Sequence, residues 1–141
     1  MPDTVLVPMD GSSKAEEALA YALDTYDADV TVLFVADLGM NAPSLEGVPG
    51  AASADLEAAA REQAEPVFET ATERAAEHDA PLDTAFEIGT PANTIVDYAD
   101  TGGFDEIVIG THGRTGAGRV LLGSVAETVA RRSPVPVTIV K

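Results

Sequence analysis

At 141 residues, with 45% hydrophobic content but only 5% aromatics and no Trp, the chain has material for one core, built mainly from Val, Ile, Leu and Ala. Its 24 acidic residues against 8 basic ones give a net charge of −16, which repels phosphate backbones and anionic headgroups and argues against nucleic-acid or membrane-surface partners. The absence of cysteine removes disulfides, thiolate metal sites and cysteine nucleophiles.

The opening MPDTVLVPMDG has no basic stretch ahead of an apolar run, and no run approaches the ~18 apolar residues of a membrane span. A soluble, cytoplasmic protein is expected. The self-repulsion of so acidic a surface disappears at multimolar salt, where the Debye length falls to roughly 3 Å, so a halophilic, salt-rich setting is one reading and a merely acidic surface the other.

Strands are predicted at Thr4 to Pro8, Val30 to Ala36, Leu82 to Ile88, Glu106 to Gly110 and Val135 to Val140. Between them lie segments of helical period, and that alternation predicts an α/β fold with a parallel sheet in a single domain spanning 1–141. VTVLFVA and EIVIG are almost continuously apolar, as strands covered on both faces should be.

The first helix is expected to open on Ser13, with Glu16 in capping-box spacing, and to bury Ala15, Ala18, Leu19, Ala22, Leu23 and Tyr26. A flap rich in Gly and Pro follows the second strand, over Leu38 to Ala52. The second helix should run from about Ser53 to His78 and kink or restart at Pro66, which lacks a backbone donor. Thr90 and Pro91 begin a third helix that stops near Gly102 and Gly103. A fourth, Ser124 to about Arg132, shows capping-box spacing between Ser124 and Glu127. His78, Arg131 and Arg132 complement helix C-termini and are assigned no further role.

The segment GTHGRTGAGRVLLGSVAETV joins the fourth strand to the fourth helix. It holds Gly110, Gly113, Gly116, Gly118 and Gly123, so the backbone can bend and approach a ligand without a Cβ in the way. It ends at a helix N-terminus, where free N–H groups and the dipole favour an anion. Arg114 and Arg119, two of the 8 cations, fall in the same loop. Together these features describe a phosphate cradle beyond the C-terminal end of a parallel strand. No GK[ST] follows the glycines, so this is not a P-loop, and the first strand lacks a dinucleotide fingerprint.

The spacing Gly110-x2-Gly113-x9-Gly123-Ser124 resembles the nucleotide-binding signature of universal stress proteins, in their ATP-binding branch. VLVPMDGS, VTVLFVAD, EIGTPANTIVDYA and SPVPVTIVK are similar to that family's other segments, so the resemblance spans nearly the whole chain. It implies an open twisted five-stranded sheet of order 3-2-1-4-5 with helices on both faces, Rossmann-like and similar to the adenine nucleotide alpha hydrolases. It places Pro8 and Asp10 by the ribose or a metal–phosphate unit, and Val35 by the adenine through its backbone. Gly110, His112, Gly113, Gly123, Ser124 and Val125 would surround ribose and phosphates. The implied ligand is ATP, or AMP or ADP, with magnesium as an option at Asp10.

Two of these residues carry a second reading. Asp10 also suits an Asx turn, and the Ser124 hydroxyl can instead cap its helix. His112 has no visible third residue to orient it as a general base, so a ribose or phosphate contact is preferred. The functions in view are a nucleotide-dependent stress-response module with at most weak ATP hydrolysis, a slow Mg-dependent ATPase or nucleotide hydrolase, and a scaffold dimer with an empty pocket. A homodimer through the edge strand 135–140 is expected in any of them.

Overall fold

A computed structural model describes residues 2–37, 52–111 and 123–141. The elements in chain order are β1 (Thr4–Pro8), α1 (Ser13–Thr25), β2 (Asp29–Ala36), α2 (Ala52–Glu77), β3 (Leu82–Ile88), α3 (Pro91–Thr101), β4 (Glu106–Gly110), α4 (Ser124–Arg132) and β5 (Val137–Val140). The five strands form one parallel sheet of order β3-β2-β1-β4-β5. The expected fold class and strand order are both found.

Side chains alternate across each strand and divide the interior in two. Val5, Val7, Val30, Val32, Phe34 and Val108 face α1 and α2. Leu6, Leu33, Ile107 and Ile109 face α3 and α4. This is why β2 and β4 read as almost continuously apolar runs: neither face of the central sheet meets water. Leu6, Leu33 and Ile107 are completely buried, and each such side chain contributes roughly 1.5–3 kcal/mol relative to exposure.

Three local expectations are corrected. The cap of α1 is Ser12, not Ser13: its backbone is extended at φ −80, ψ 158, and its hydroxyl accepts from the Ala15 amide. Ser13 is already helical, so its hydroxyl cannot take the half-in position that a cap requires. In α4 the cap is Gly123, without a side-chain hydrogen bond, and Ser124 is the first helical residue. The capping-box reading fails at both helices by one residue.

The expected kink or restart at Pro66 gives way to one continuous helix, Ala52–Glu77. Ala60, Ala64, Val67, Ala71 and Ala75 continue the buried stripe straight across the proline. Pro66 itself is exposed, so the carbonyl one turn back can turn to water. The Thr70 hydroxyl returns a bond to the Pro66 carbonyl at 3.1 Å.

Strand boundaries also move. β2 begins at Asp29, which pairs with Thr4. β5 begins two residues later than expected, because the Ser133 hydroxyl binds both the carbonyl and the amide of Val135 and holds it in a turn. No helix of the described residues is long and apolar enough to cross a membrane.

Candidate functional site

β1 and β4 are neighbours, yet β1 leads outward to β2 and β4 to β5. Their C-terminal ends therefore flank the point where winding reverses, the usual ligand crevice of an open parallel sheet. The residues singled out above fall around this point. Pro8 ends β1, Asp10 follows it, Gly110 ends β4, and Gly123, Ser124 and Val125 open α4. His112, Gly113, Arg114 and Arg119 lie outside the described residues, as does the flap over 38–51.

The turn after β1 is built by Asp10 and Gly11. Gly11 sits at φ +88, a left-handed conformation that suits glycine and strains other residues. Asp10 Oδ1 accepts the Ser12 amide at 3.0 Å, so the Asx-turn reading of Asp10 is correct. This bond engages one carboxylate oxygen and orients the group at the crevice rim.

β2 runs on to Ala36, past the last residue of β1 that pairs with it. Pro8 pairs with Leu33, and the Met9 amide donates to the Leu33 carbonyl at 2.9 Å. Backbone polar groups alternate sides along a strand, so those of Val35 point the same way as those of Leu33, into the space that β1 has just left. The Val35 and Val125 side chains pack against the same core, beneath α3 and α4.

α4 begins differently from α1. Its first-turn amides have no acceptor inside the helix, and among the described residues no side chain caps them, whereas Ser12 caps α1. α3 also lacks a side-chain cap, but Pro91 at its first turn removes one donor. Thr111, buried at 4% exposure and not foreseen from sequence, fixes the entrance. Its amide donates to the Val140 carbonyl at 2.9 Å, and its carbonyl accepts the Gly123 amide at 2.6 Å. The two ends of the segment 112–122 are thereby held together over β4 and β5.

Gly110 is explained by packing as well as by ligand approach. A Cβ there would meet the Lys14 main chain, so its small size lets α1 lie over the end of β4.

A second concavity, about 430 Å³, lies on the α1 and α2 side. Its floor is Met9, Phe34 and Val67, and its polar rim includes Asp10, Glu16, Gln63 and Thr70. Of the residues foreseen from sequence it includes only Asp10, which stands between the two spaces. Gln63, Val67 and Thr70 follow the i, i+4, i+7 spacing of one helix face, a signal that sequence alone offered. Arg74 reaches Glu16 on this rim at 3.3 Å.

Among the described residues no group of three or more His, Asp or Glu is arranged to hold a metal by protein ligands alone. A cation at Asp10 would need most of its oxygen ligands from phosphate or water.

A family model for the universal stress protein family matches residues 1–141. The universal stress protein MJ0531 of Methanocaldococcus jannaschii is 34% identical over 141 residues, covering 97% of this chain and 81% of that protein. The solved structure of MJ0577 from the same organism superposes with a TM-score of 0.81 at 29% identity, over 99% of this chain and 95% of that one. A universal stress protein solved in complex with cAMP superposes with a TM-score of 0.70 at 26% identity, over 99% of this chain and 97% of that one.

Proposed function

The chain belongs to the universal stress protein family, and from that premise we propose that it is a nucleotide-binding stress-response module. It takes ATP, or AMP or ADP, in the crevice between β1 and β4. The observation that carries this reading is the start of α4, whose amides no side chain caps among the described residues, at the winding reversal of the sheet. The cAMP-bound relative supports an adenine nucleotide as the ligand class.

In this reading the amides of Ser124 and Val125 receive the phosphates, Gly123, whose own amide is held by the Thr111 carbonyl, lets them approach closely, and Gly113 and His112 complete the cradle while Arg114 and Arg119 add charge. The Val35 backbone reads the adenine edge, and Pro8 and Gly110 shape the space between. The Asp10 carboxylate, oriented by the Ser12 amide, stands by the ribose hydroxyls, or by a magnesium ion when the phosphates bring one. Magnesium would supply charge neutralisation at the phosphates. Asp10 is held in a turn by the Ser12 amide, and the residues named in this reading do not supply the Lys, activating base and paired metal ligands of rapid phosphoryl transfer, so binding rather than turnover is the activity and any hydrolysis is slow.

The protein acts as one domain over 1–141, in a cytoplasm, and its charge of −16 suits a salt-rich, halophilic one. It is a homodimer through β5. That strand is at the sheet edge, and Val137, Ile139 and Val140 are only half-buried in the single chain, an arrangement that a second copy would complete.

The test is nucleotide retention and a thermal shift with Mg-ATP, on the wild type and on Gly123→Ala. Gly123 has φ −66, ψ 156, a conformation that alanine adopts freely, so the variant is expected to fold. Its nucleotide affinity should fall at least about tenfold, which is roughly 1.4 kcal/mol. A wild type that retains no nucleotide and shows no thermal shift overturns the proposal.

A further inference from the structure

The C-terminal ends of α1 and α2 are joined through one imidazole. His78, the residue after α2, holds its Nδ1 2.9 Å from the Arg74 carbonyl and its Nε2 2.7 Å from Asp24 Oδ1 of α1. A carbonyl oxygen only accepts, and so does an ionised carboxylate. Both ring nitrogens must therefore carry hydrogen for both bonds to exist, and that form is the imidazolium. The neutral ring satisfies one partner and turns a lone pair toward the other.

The same two helices wall the concavity beside Asp10. Glu16 on α1 and Gln63, Val67 and Thr70 on α2 line it. The Arg74–Glu16 pair bridges the helices between that concavity and the imidazole. From this geometry we propose that His78 is a pH-sensitive clasp between α1 and α2, closed as the imidazolium and loosened as the neutral ring, and that it sets the width of the concavity beside Asp10. This does not depend on nucleotide binding.

The charged groups that face His78 are Asp24 from α1 and Arg74 and Glu77 from α2. Arg74 is engaged by Glu16 at 3.3 Å and by Glu77 at 3.6 Å, so its charge is largely compensated. The Arg74 carbonyl bond first, and the Asp24 carboxylate second, raise the His78 pKa above its ordinary value. A raised histidine contributes stability that is complete below the unfolded pKa of about 6.5 and lost as pH rises through the folded pKa. The clasp therefore opens on the alkaline side.

The experiment is an NMR pH titration of the full chain between about pH 5 and about pH 9. It follows the two histidine rings and the Gly11 and Thr70 amides in the wild type, Asp24→Asn and His78→Gln. The ring signal lost in His78→Gln identifies His78. The expected result is a His78 midpoint above that of a free histidine, displaced downward in Asp24→Asn. The Gly11 and Thr70 amides should follow that midpoint in the wild type and lose the transition in His78→Gln. A His78 midpoint at the free value, or one that Asp24→Asn leaves in place, overturns the clasp. Amides that fail to follow His78 overturn its link to the concavity. Asp24 is 69% exposed, so Asp24→Asn is expected to fold and carries the test even if His78→Gln does not.

Discussion

Gly110, the last residue of β4, lies against the main chain of Lys14 in α1: a Cβ placed on Gly110 would stand 2.7 Å from both the carbonyl carbon and the carbonyl oxygen of Lys14. Both neighbours are backbone atoms, so no side-chain rotation relieves the clash. Gly110→Ala should destabilise the protein by about 1–3 kcal/mol, as overpacking does. Urea denaturation of the variant beside the wild type measures this. A loss below about 0.5 kcal/mol would mean that α1 shifts freely away from the sheet.

A second prediction concerns the start of β1. Asp105 Oδ2 accepts the amides of Asp3 and Thr4 at 2.9 and 3.1 Å, and those bonds, the Asp3 amide first, hold its pKa below the ordinary carboxylate value. A lowered carboxylate contributes stability that is present above the unfolded pKa of about 3.9 and lost as pH falls through the folded pKa. Asp105→Ala should therefore have a lower Tm than the wild type at neutral pH. The two melting curves should converge in strong acid. A difference that persists below the folded pKa would show that the loss is not electrostatic.

Tyr26 supplies a third. Its hydroxyl donates to Glu106 Oε2 at 2.6 Å, and the Thr138 hydroxyl donates to the same oxygen at 2.6 Å. Tyr26, which closes the C-terminal end of α1, is thereby tied to β4 and β5 at one point. Tyr26→Phe should cost about 1–2 kcal/mol, as loss of a hydrogen bond to a charged group does in a partly exposed setting. Combining it with Glu106→Gln should cost less than the sum of the two, because both remove one network. The Glu106 bond also raises the Tyr26 pKa, so a spectrophotometric titration should show a tyrosine ionising above the ordinary phenol value, and that step should be missing in Tyr26→Phe. That stabilisation is present below the ordinary phenol value of about 10 and lost above the raised one.

A fourth follows from charge alone. With 24 acidic and 8 basic residues, the folded chain repels itself, and salt screens that repulsion within roughly 3 Å at 1 M. The Tm should rise steadily with KCl. An unchanged Tm between low and molar salt would remove the salt-rich reading.

The architecture was legible because its signals are redundant. Val30 to Ala36 and Ile107 to Gly110 are apolar but for Thr31, and only a sheet covered on both faces gives those residues dry neighbours on each side. Helix starts were less legible. Ser12 and Ser13 are adjacent and chemically alike; what selects Ser12 is the left-handed Gly11 before it, a backbone property that spacing does not encode. Pro66 misled for the opposite reason. Its local cost is real, but the alanine stripe on either side of it is anchored to one sheet face, and tertiary packing prevails.

At the site, the glycines and Asp10 could be found by pattern, and the Asp10 turn was foreseen as one of its two readings. Thr111 could not, because its contribution comes from main-chain bonds to Val140 and Gly123, which are remote in sequence or lie across the loop. The His78–Asp24 pair, 54 residues apart, was hidden in the same way: each residue is unremarkable at its own helix end.

The bond between the Gly123 amide and the Thr111 carbonyl has a consequence for how such a protein can diversify. Because the frame itself joins those two positions, whatever sequence connects them starts and finishes at a fixed doorway. The sheet beneath is then insulated from changes in the chain between those positions. A chimera carrying another length of chain between Thr111 and Gly123 should keep its melting cooperativity.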